Sequence, residues 1–594
     1  LGFFFNLYRY ILKDMQDKAQ NGHPKGLWFL FGTEMWERFG YYLMLGIFSL
    51  YMLDGWNNGG MGFSSTQKSD IYGTYLGLVY LTPFIGGLLA DRILGYRRSI
   101  VIGGLMMACG YFLLSVHSIA SFYVALLLII VGNGFFKPNI STLVGNLYSG
   151  EDMKDKKDSG YNIFYMGINV GAFICNFVAA YMRINYGWGH AFAAAGVGML
   201  VGIVIFLLGT KHIKHVDVIK PVKAGDMGTG KILMLTVLPM FVFGIIGYFL
   251  KGVTGPDNKD GNILGTDTND AFIIGCLPVI AFFIYLAFKG DPKESRAIKA
   301  LLAVFTCVIL FFAIFHQNGD ALTVWAEHHT DRKMPESIAG AANNFGMAQV
   351  VVNNDIVSAD ETEFKATIDS LRQQEKMMPA ESVADLKARK DFSSQIGQLE
   401  KSREYFLTLP GDQIPEKGKD LKLYSTELYQ SINPFWVVVL TPLVVGVFGF
   451  MRRRKREPST PTKIGIGLII TALSALVMVG AVYASNSLST KASSFWLIAS
   501  YGVITIGELC LSPMGLSLVS KLSPPRITAL MMGGYFLAIS VGNKLSGMLS
   551  GLWEAMPEKQ NFFYMNFGLV LAAALLLFIM LKWLNSVMRE NNVQ

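Results

Sequence analysis

The chain has 594 residues, 52% of them apolar and only 16% charged, with 62 glycines and a formal charge of +8. A soluble domain carries about a quarter charged residues, and a single soluble core rarely grows beyond about 250–300 residues. An ordinary soluble protein is excluded, and the basic excess lies beside apolar segments, so it is no argument for nucleic acid. Apolar runs of about twenty residues recur instead, each long enough to cross a hydrocarbon slab roughly 30 Å thick as a helix. The expected fold class is an all-α integral membrane protein set in a lipid bilayer.

Leu1 to Gly26 holds a short apolar patch, LGFFFNLYRYILKDM, interrupted by Arg9 and Lys13 and without a small-residue cleavage site. It reads as an interfacial segment rather than a cleaved signal. Candidate spans then begin near Trp28, Ile71, Ser99, Ser121, Asn162, His190, Ile232, Ala271, Ile298, Asn433, Lys463, Ser494, Ile527 and Phe562, an even number that places both termini on one side. Short loops on that side, among them DRILGYRRS, EDMKDKKDS, KGDPKESRAIK and MRRRKREPSTPTK, hold with the termini roughly 29 Lys and Arg, against roughly 6 in the short loops opposite. The positive-inside rule makes that side cytoplasmic, which predicts a multi-pass protein of the cell (inner) membrane with both ends inside.

Six spans precede His212, two fall between lysine-rich loops at 232–289, and six follow Ala297. The chain is therefore expected to divide into a cytoplasmic N-terminal segment (1–26), a six-helix bundle (27–210), a cytoplasmic linker with an inserted transmembrane hairpin (211–297) and a second six-helix bundle (298–594). The polar stretch 327–430 becomes an extracytoplasmic insertion between helices seven and eight of the twelve. Within it, ADETEFKATIDSLRQQEK and ESVADLKARKDFSSQIGQLEKSREYF carry apolar residues at mixed three- and four-residue spacing, which predicts short amphipathic helices. It reads as a surface insertion resting on the outer face, with a binding module as the alternative. Cys109, Cys175, Cys276, Cys307 and Cys510 all fall in apolar runs without CxxC spacing, so they read as buried small hydrophobes rather than disulfides or metal ligands.

Charges inside these spans are costly, about 2.5–3.5 kcal/mol each on insertion scales, and need partners or a wet cavity. In GTEMWERFGYYLM, Glu34 and Arg38 are four apart and Glu34 and Glu37 three apart, so the three share one helix face that Tyr41 extends and Tyr42 flanks. An ion pair that merely holds the bundle explains one glutamate and leaves the other unpaired. Lys137, before Pro138 in VGNGFFKPNISTLVG, is expected towards the middle of its span and is the natural partner of that second glutamate. In FFAIFHQNGDALTVWA, His316, Asp320 and Thr323 fall on one stripe. Here His316 is either a satisfied core residue or, with Asp320 one turn away, a proton or gate site. Glu508, in ITIGELCLSPMGLS, stands alone with Ser512 on its face, an arrangement that suits a positive ligand. With the hairpin skipped, these charges fall on helices one, four, seven and ten, equivalent positions in the two halves, and so line one interface.

Several segments carry recognisable motifs. ExxERF stands as Glu34-Met-Trp-Glu37-Arg38-Phe39, and FYxxINxG as Phe164-Tyr165-Met-Gly-Ile168-Asn169-Val-Gly171. A loop motif lies in GGLLADRILGYRRS, with Asp91, Arg92, Gly95 and Arg97; GELCLSPMGLS and QSINPFW complete the set. In these segments the chain resembles the proton-dependent oligopeptide transporters of the major facilitator superfamily, of the bacterial type with fourteen helices. The resemblance implies two six-helix bundles plus an inserted two-helix hairpin. It implies symport of protons with di- and tripeptides and peptide-like compounds by alternating access, with no enzymatic activity and no metal or cofactor beyond the coupling proton. Glu34 and Glu37 would be the coupling carboxylates, with Arg38 and Lys137 completing the network and His316 and Asp320 as further proton-coupling candidates. Arg38 and Lys137 would face the carboxylate of a small zwitterionic peptide and Glu508 its amino group, while Tyr41, Tyr42, Tyr80, Asn169, Asn433, Ser512 and Tyr535 would line the pocket. His316 stands where relatives often carry an acid, and Tyr535 where some carry tryptophan. Carriage of another small charged solute such as nitrate or a drug, a receptor built on the insertion, and a channel stay open as alternatives. Against an enzyme stands the lack of any metal-ligand spacing, nucleophile elbow or phosphate loop in the sequence.

Overall fold

The computed structural model describes residues 22–150, 153, 156–218, 229–252, 261–289, 291–344, 347–379, 383–524 and 527–591. The interfacial segment expected in Leu1–Gly26 lies, up to residue 21, outside the described residues. The first half comprises α1 (Lys25–Leu53), α2 (Ser65–Leu89), α3 (Tyr96–Leu114), α4 (Ile119–Leu147), α5 (Lys157–Tyr186) and α6 (Trp188–Ile213). A hairpin follows, its first arm broken at Thr236 into α7 (Thr229–Leu235) and α8 (Val237–Phe249), its second arm α9 (Asp267–Lys289). The second half starts with α10 (Pro292–Phe315) and α11 (Ala321–His328), and then gives rise to the insertion. There β1 (Thr330–Asp331), β2 (Ala348–Val352), α12 (Glu361–Met377), α13 (Val383–Leu407) and β3 (Asp420–Tyr424) follow one another. The chain closes with α14 (Ile432–Arg453), α15 (Thr460–Ala484), the two-residue β4 (Ala492–Ser493), α16 (Ser494–Leu522), α17 (Thr528–Ala555) and α18 (Lys559–Glu590).

Among the described residues, 11 helices are long and apolar enough to cross a bilayer. The 29 residues of α1 include Glu34, Glu37 and Arg38, and the 28 of α17 include Asn543 and Lys544, so both are long enough but carry polar side chains in mid-helix. One apolar core runs through α1–α6, from Leu27 to Val216. A second joins α10 and α15–α18 to the hairpin through Phe272, Cys276 and Phe283. The halves meet where α2 packs on α17 and α5 on α14. Small residues allow the first of these contacts, as membrane helices need when no hydrophobic effect drives them together. A Cβ placed on Gly73 of α2 would come 2.9 Å from the Gly547 Cα of α17.

Three local features depart from expectation. First, α2 begins at Ser65, not near Ile71, because Ser64 and Gln67 form a capping box that satisfies the first free N–H groups. This moves Lys68 and Asp70 from a loop onto a helix. Second, the helix carrying His316 does not continue through Asp320. A 3-10 turn, His316–Gly319, ends α10, and Asp320 has φ −123° and ψ −90°, so the assumed His316–Asp320–Thr323 stripe does not form. Third, Cys109 is exposed, whereas Cys175, Cys276, Cys307 and Cys510 are buried; all five are free thiols. The amphipathic helices expected in the insertion are α12 and α13. The antiparallel β2–β3 pair, with Ala348 opposite Tyr424, was not expected. The strand pair and α13 enclose a small core of Val351, Val357, Tyr405, Phe406, Leu409 and Leu423.

We call the end of the bundle that carries the insertion distal, and the end where α1 begins and α18 finishes proximal. Because the backbones of α2 and α17 touch at Gly73 and Gly547, Gly547→Val is expected to hold the distal end apart without unfolding either half. Thiol labelling of a cysteine introduced at Ser49, which is fully buried at that end, checks this by an increased rate.

Candidate functional site

A cavity of about 310 Å3 lies between the halves, at the lower end of the usual size for small-molecule sites. From the first half α1 lends it Glu34, Arg38, Tyr41 and Tyr42, α2 Tyr80, α4 Lys137, and α5 Tyr165 and Asn169. Facing them are His316 at the end of α10, Asn433 on α14, Glu508 and Ser512 on α16, and Tyr535 on α17. The structure thus brings every residue expected to line a pocket to one place. Of the expected proton-coupling residues, Glu34, Arg38, Lys137 and His316 reach the cavity; Glu37 and Asp320 are buried outside its lining.

Arg38 is the node of the first wall. Its Nε donates to Glu34 Oε1 at 2.9 Å, the i,i+4 contact foreseen from spacing. Glu37 Oε2 lies 2.7 Å from the same Nε, an ion pair whose N–H axis points elsewhere, since neither Glu37 oxygen has a hydrogen-bond donor. All three are nearly sealed from solvent, with exposures of 2%, 0% and 3% for Glu34, Glu37 and Arg38. Two carboxylates share one guanidinium, so a proton on either would remove the excess charge and supply a donor that the unpaired oxygens lack. The guanidinium also lies 5.6 Å from the Tyr41 ring centroid.

Lys137 does not pair with the second glutamate, as its sequence context suggested. Arg38 holds both carboxylates, and among the described residues no acid lies within 4.0 Å of the ammonium. Lys137 Nζ instead rests 4.0 Å from the Tyr80 ring centroid, a cation–π contact that leaves its hydrogen-bonding capacity for the cavity. Glu508, on the opposite wall, accepts from Asn433 Nδ2 at 3.3 Å and has no cation beside it among the described residues. The same Asn433 amide donates to Thr505 at 2.9 Å, which orients it. His316 stacks on Phe312 with centroids 5.3 Å apart, and its Nδ1 is buried without a partner. Asp320 pairs with Lys68 of α2 rather than with His316, and accepts from Ser49 at 3.3 Å.

That ion pair belongs to a set that sequence reasoning missed. Lys544 of α17 pairs with Asp70 of α2 at 2.6 Å, and Arg183 of α5 holds Glu427 with two bonds of 2.7 and 2.9 Å. Within the second half, Gln430 donates to the Asn318 carbonyl at 2.8 Å and to Thr323 at 2.5 Å, at the cavity wall. Among the described residues, every ion pair joining the halves lies at the distal end, which is closed. Two signals were present: the Ser64-x-x-Gln67 capping box, and a lone lysine in SVGNKLSG. At the proximal end the loop motif is tied down by Asp217, whose Oδ1 accepts from the Tyr96 N–H at 2.9 Å and the Arg97 N–H at 3.3 Å. Gly95, at φ +78°, makes the sharp turn between Asp91 and α3, where a Cβ would be strained. The Arg92 side chain lies outside what is described.

A family model described as the POT family matches residues 97–351 and 422–567. The chain belongs to the POT family. Its fold is accordingly the major facilitator one. A Bacillus subtilis relative, Uncharacterized transporter YclF, is 30% identical over 559 residues, covering 93% of this chain and 92% of the relative. The Di-/tripeptide transporter of Lactococcus lactis subsp. lactis is 29% identical over 555 residues, covering 92% of this chain and 93% of its own. A crystal structure of peptide transporter POT in complex with sulfate superposes with a TM-score of 0.69 at 26% identity, covering 96% of both chains. This POT family protein is a transporter, not an enzyme. The family match pauses between 351 and 422, inside the insertion.

Lys68→Met would leave the fully buried Asp320 without its cation. A loss of about 3–5 kcal/mol is expected, the usual result of breaking a buried pair from one side. It should appear as a lower melting midpoint in detergent, and adding Asp320→Asn should recover part of it.

Proposed function

We propose that this POT family transporter is a proton-coupled importer of di- and tripeptides, seated in the cell (inner) membrane with both termini in the cytoplasm. In this reading residues 27–210 and 298–594 are the bundles that rock, 211–297 supplies the linker and hairpin, and 327–430 is an external insertion. The observation that carries it is the polarity of one cavity, with Arg38 and Lys137 on one wall and Glu508 facing them from the other half. A short peptide is a zwitterion, and its two charged ends suit those two walls. Charge-assisted hydrogen bonds to the termini, which all such peptides share, supply affinity that does not depend on side chains. The side chains can then vary along Tyr41, Tyr42, Tyr80, Asn169, Asn433, Ser512 and Tyr535. The name of the Lactococcus relative agrees with this substrate class.

Coupling follows from the shared guanidinium. With Glu34 and Glu37 both ionised, Arg38 is fully engaged by its own helix. Protonation of one carboxyl releases part of that hold and turns Arg38 and the free Lys137 towards a substrate carboxylate. Proton and peptide then favour the same state, and each raises the affinity for the other. Release of the distal ion pairs would open the cavity to the outside, and their return would close it, as the halves exchange access around the site.

Uptake of labelled dialanine into proteoliposomes, with and without an inward proton gradient, tests the proposal; uptake that nitrate displaces and dialanine does not would overturn it. Glu37→Gln is expected to abolish uphill accumulation while leaving exchange of dialanine across the membrane near the unmodified rate. Glu508→Gln should weaken dialanine at least about tenfold, the scale of a lost charge-assisted hydrogen bond, yet leave weak competition by N-acetyl-dialanine unchanged.

A further inference from the structure

The insertion is joined to the two halves in very different ways. To its own half it is bound through backbone and buried charge. β1 pairs in parallel with β4 in the loop before α16, and the Lys491 N–H donates to the Thr408 carbonyl at 3.0 Å. Lys491 Nζ donates to the His328 carbonyl at 2.7 Å, the Ala492 N–H to the His329 carbonyl at 2.8 Å and the Ser494 hydroxyl to the Asp331 carbonyl at 2.6 Å. Inside the insertion Arg332, only 2% exposed, donates to the Tyr424 carbonyl at 3.0 Å and lies 3.3 Å from Glu327, while the Tyr405 hydroxyl donates to Asp331 at 2.9 Å. Backbone pairing to the loop before α16, together with these internal bonds, makes a unit that moves as one with the second half.

Apart from the Arg183–Glu427 pair at its C-terminal root beside α14, its contacts with the first half are fewer and polar. Ser393 of α13 donates to the Asn57 carbonyl at 2.9 Å. Lys401 Nζ lies 3.4 Å from Asp54 Oδ2, and that oxygen also accepts from Trp188 Nε1 at 2.9 Å. One helical turn away from both, Gly397 presses on the Asn58 side chain. Among the described residues the apolar core of the insertion is made of its own side chains and includes none from the turn after α1. A lightly bonded polar contact of this kind separates at low cost, since water replaces each bond lost.

We propose that the insertion is a latch: an arm rigidly fixed to the second half that docks on the Asp54–Asn58 turn of the first half when the distal end is closed, and lifts for that end to open. The proposal rests on the alternating-access reading above. It gives the insertion a part in setting the balance between the two states, distinct from the ion pairs within the membrane.

The test is a reversible crosslink. A Cβ at position 397 would lie 3.0 Å from the Asn58 side-chain carbon, so cysteines at 58 and 397 fall within disulfide reach. In full-length Asn58→Cys/Gly397→Cys protein carrying Cys109→Ser, the separation of the halves is read between spin labels attached through oxime bonds to ketone-bearing residues placed at the exposed distal positions of Ala120 and Ser489, which neither the oxidant nor the reductant for the crosslink removes, beside dialanine uptake. Expected are a single short distance and no uptake after oxidation, and a broader distribution with uptake restored by reductant. Lys401→Ala with Ser393→Ala, free of the crosslink, should shift the distribution towards longer distances. Failure of the cysteines to join, a long distance in the crosslinked protein, or an unchanged distribution in the alanine variant would each overturn the latch. Reduced protein that shows the distance change but carries no dialanine would count against the transport reading and leave the latch standing.

Discussion

One arginine answering to two carboxylates is the constraint around which the cavity is arranged. Arg38, Glu34 and Glu37 are all buried on a single helix, and burial of charge is tolerated only with close partners. Had the helix carried one glutamate, the pair would be neutral and inert. The second leaves the group one proton short of balance and leaves three carboxylate oxygens without donors. Because α1 settles its own cation internally, Lys137 is not consumed, and it faces the cavity over Tyr80 as a cation with no acid within 4.0 Å among the described residues. Glu508 across the gap is its mirror image, an acid with no cation beside it among the described residues.

The closed distal end is made by a different kind of contact. Lys68–Asp320, Lys544–Asp70 and Arg183–Glu427 join the two halves and lie away from the cavity lining, so holding the halves together is separated from holding a ligand. The hairpin crosses the same seam: Phe272 packs on Gly77 of α2, Phe283 on Gly534 of α17, and Thr268 donates to Asp70 at 2.5 Å. Asp70 therefore ties three bodies at one point, and glycines let the helices there approach at backbone distance.

The positions that were legible in the amino-acid order are those decided by local periodicity. Glu34 and Arg38 meet because four residues make one turn, and the apolar faces of α12 and α13 follow from three- and four-residue spacing. The charged cavity residues Glu34, Arg38, Lys137 and Glu508 converge because first and fourth helices in each half take equivalent places. The Asp320 assignment failed because a 3-10 turn at His316–Gly319 rotated it out of the helical stripe, and no periodicity encodes where a helix gives way. Lys68 and Asp70 were passed over because the apolar run starts after them, although the capping box shows the helix starting before.

What the sequence determined by itself is that the chain is built of apolar helices long enough to cross a bilayer, and which charges sit within them. Hydrophobic length and helical spacing are properties of consecutive residues and need no fold to be read. Only the tertiary structure decided which charges meet: Asp320 with a lysine 252 positions away, Lys137 with a tyrosine ring, Glu427 with Arg183 across the seam. Partner choice depends on how far a side chain reaches between helices that the chain order does not place side by side, and that distance exists only once the bundle has closed.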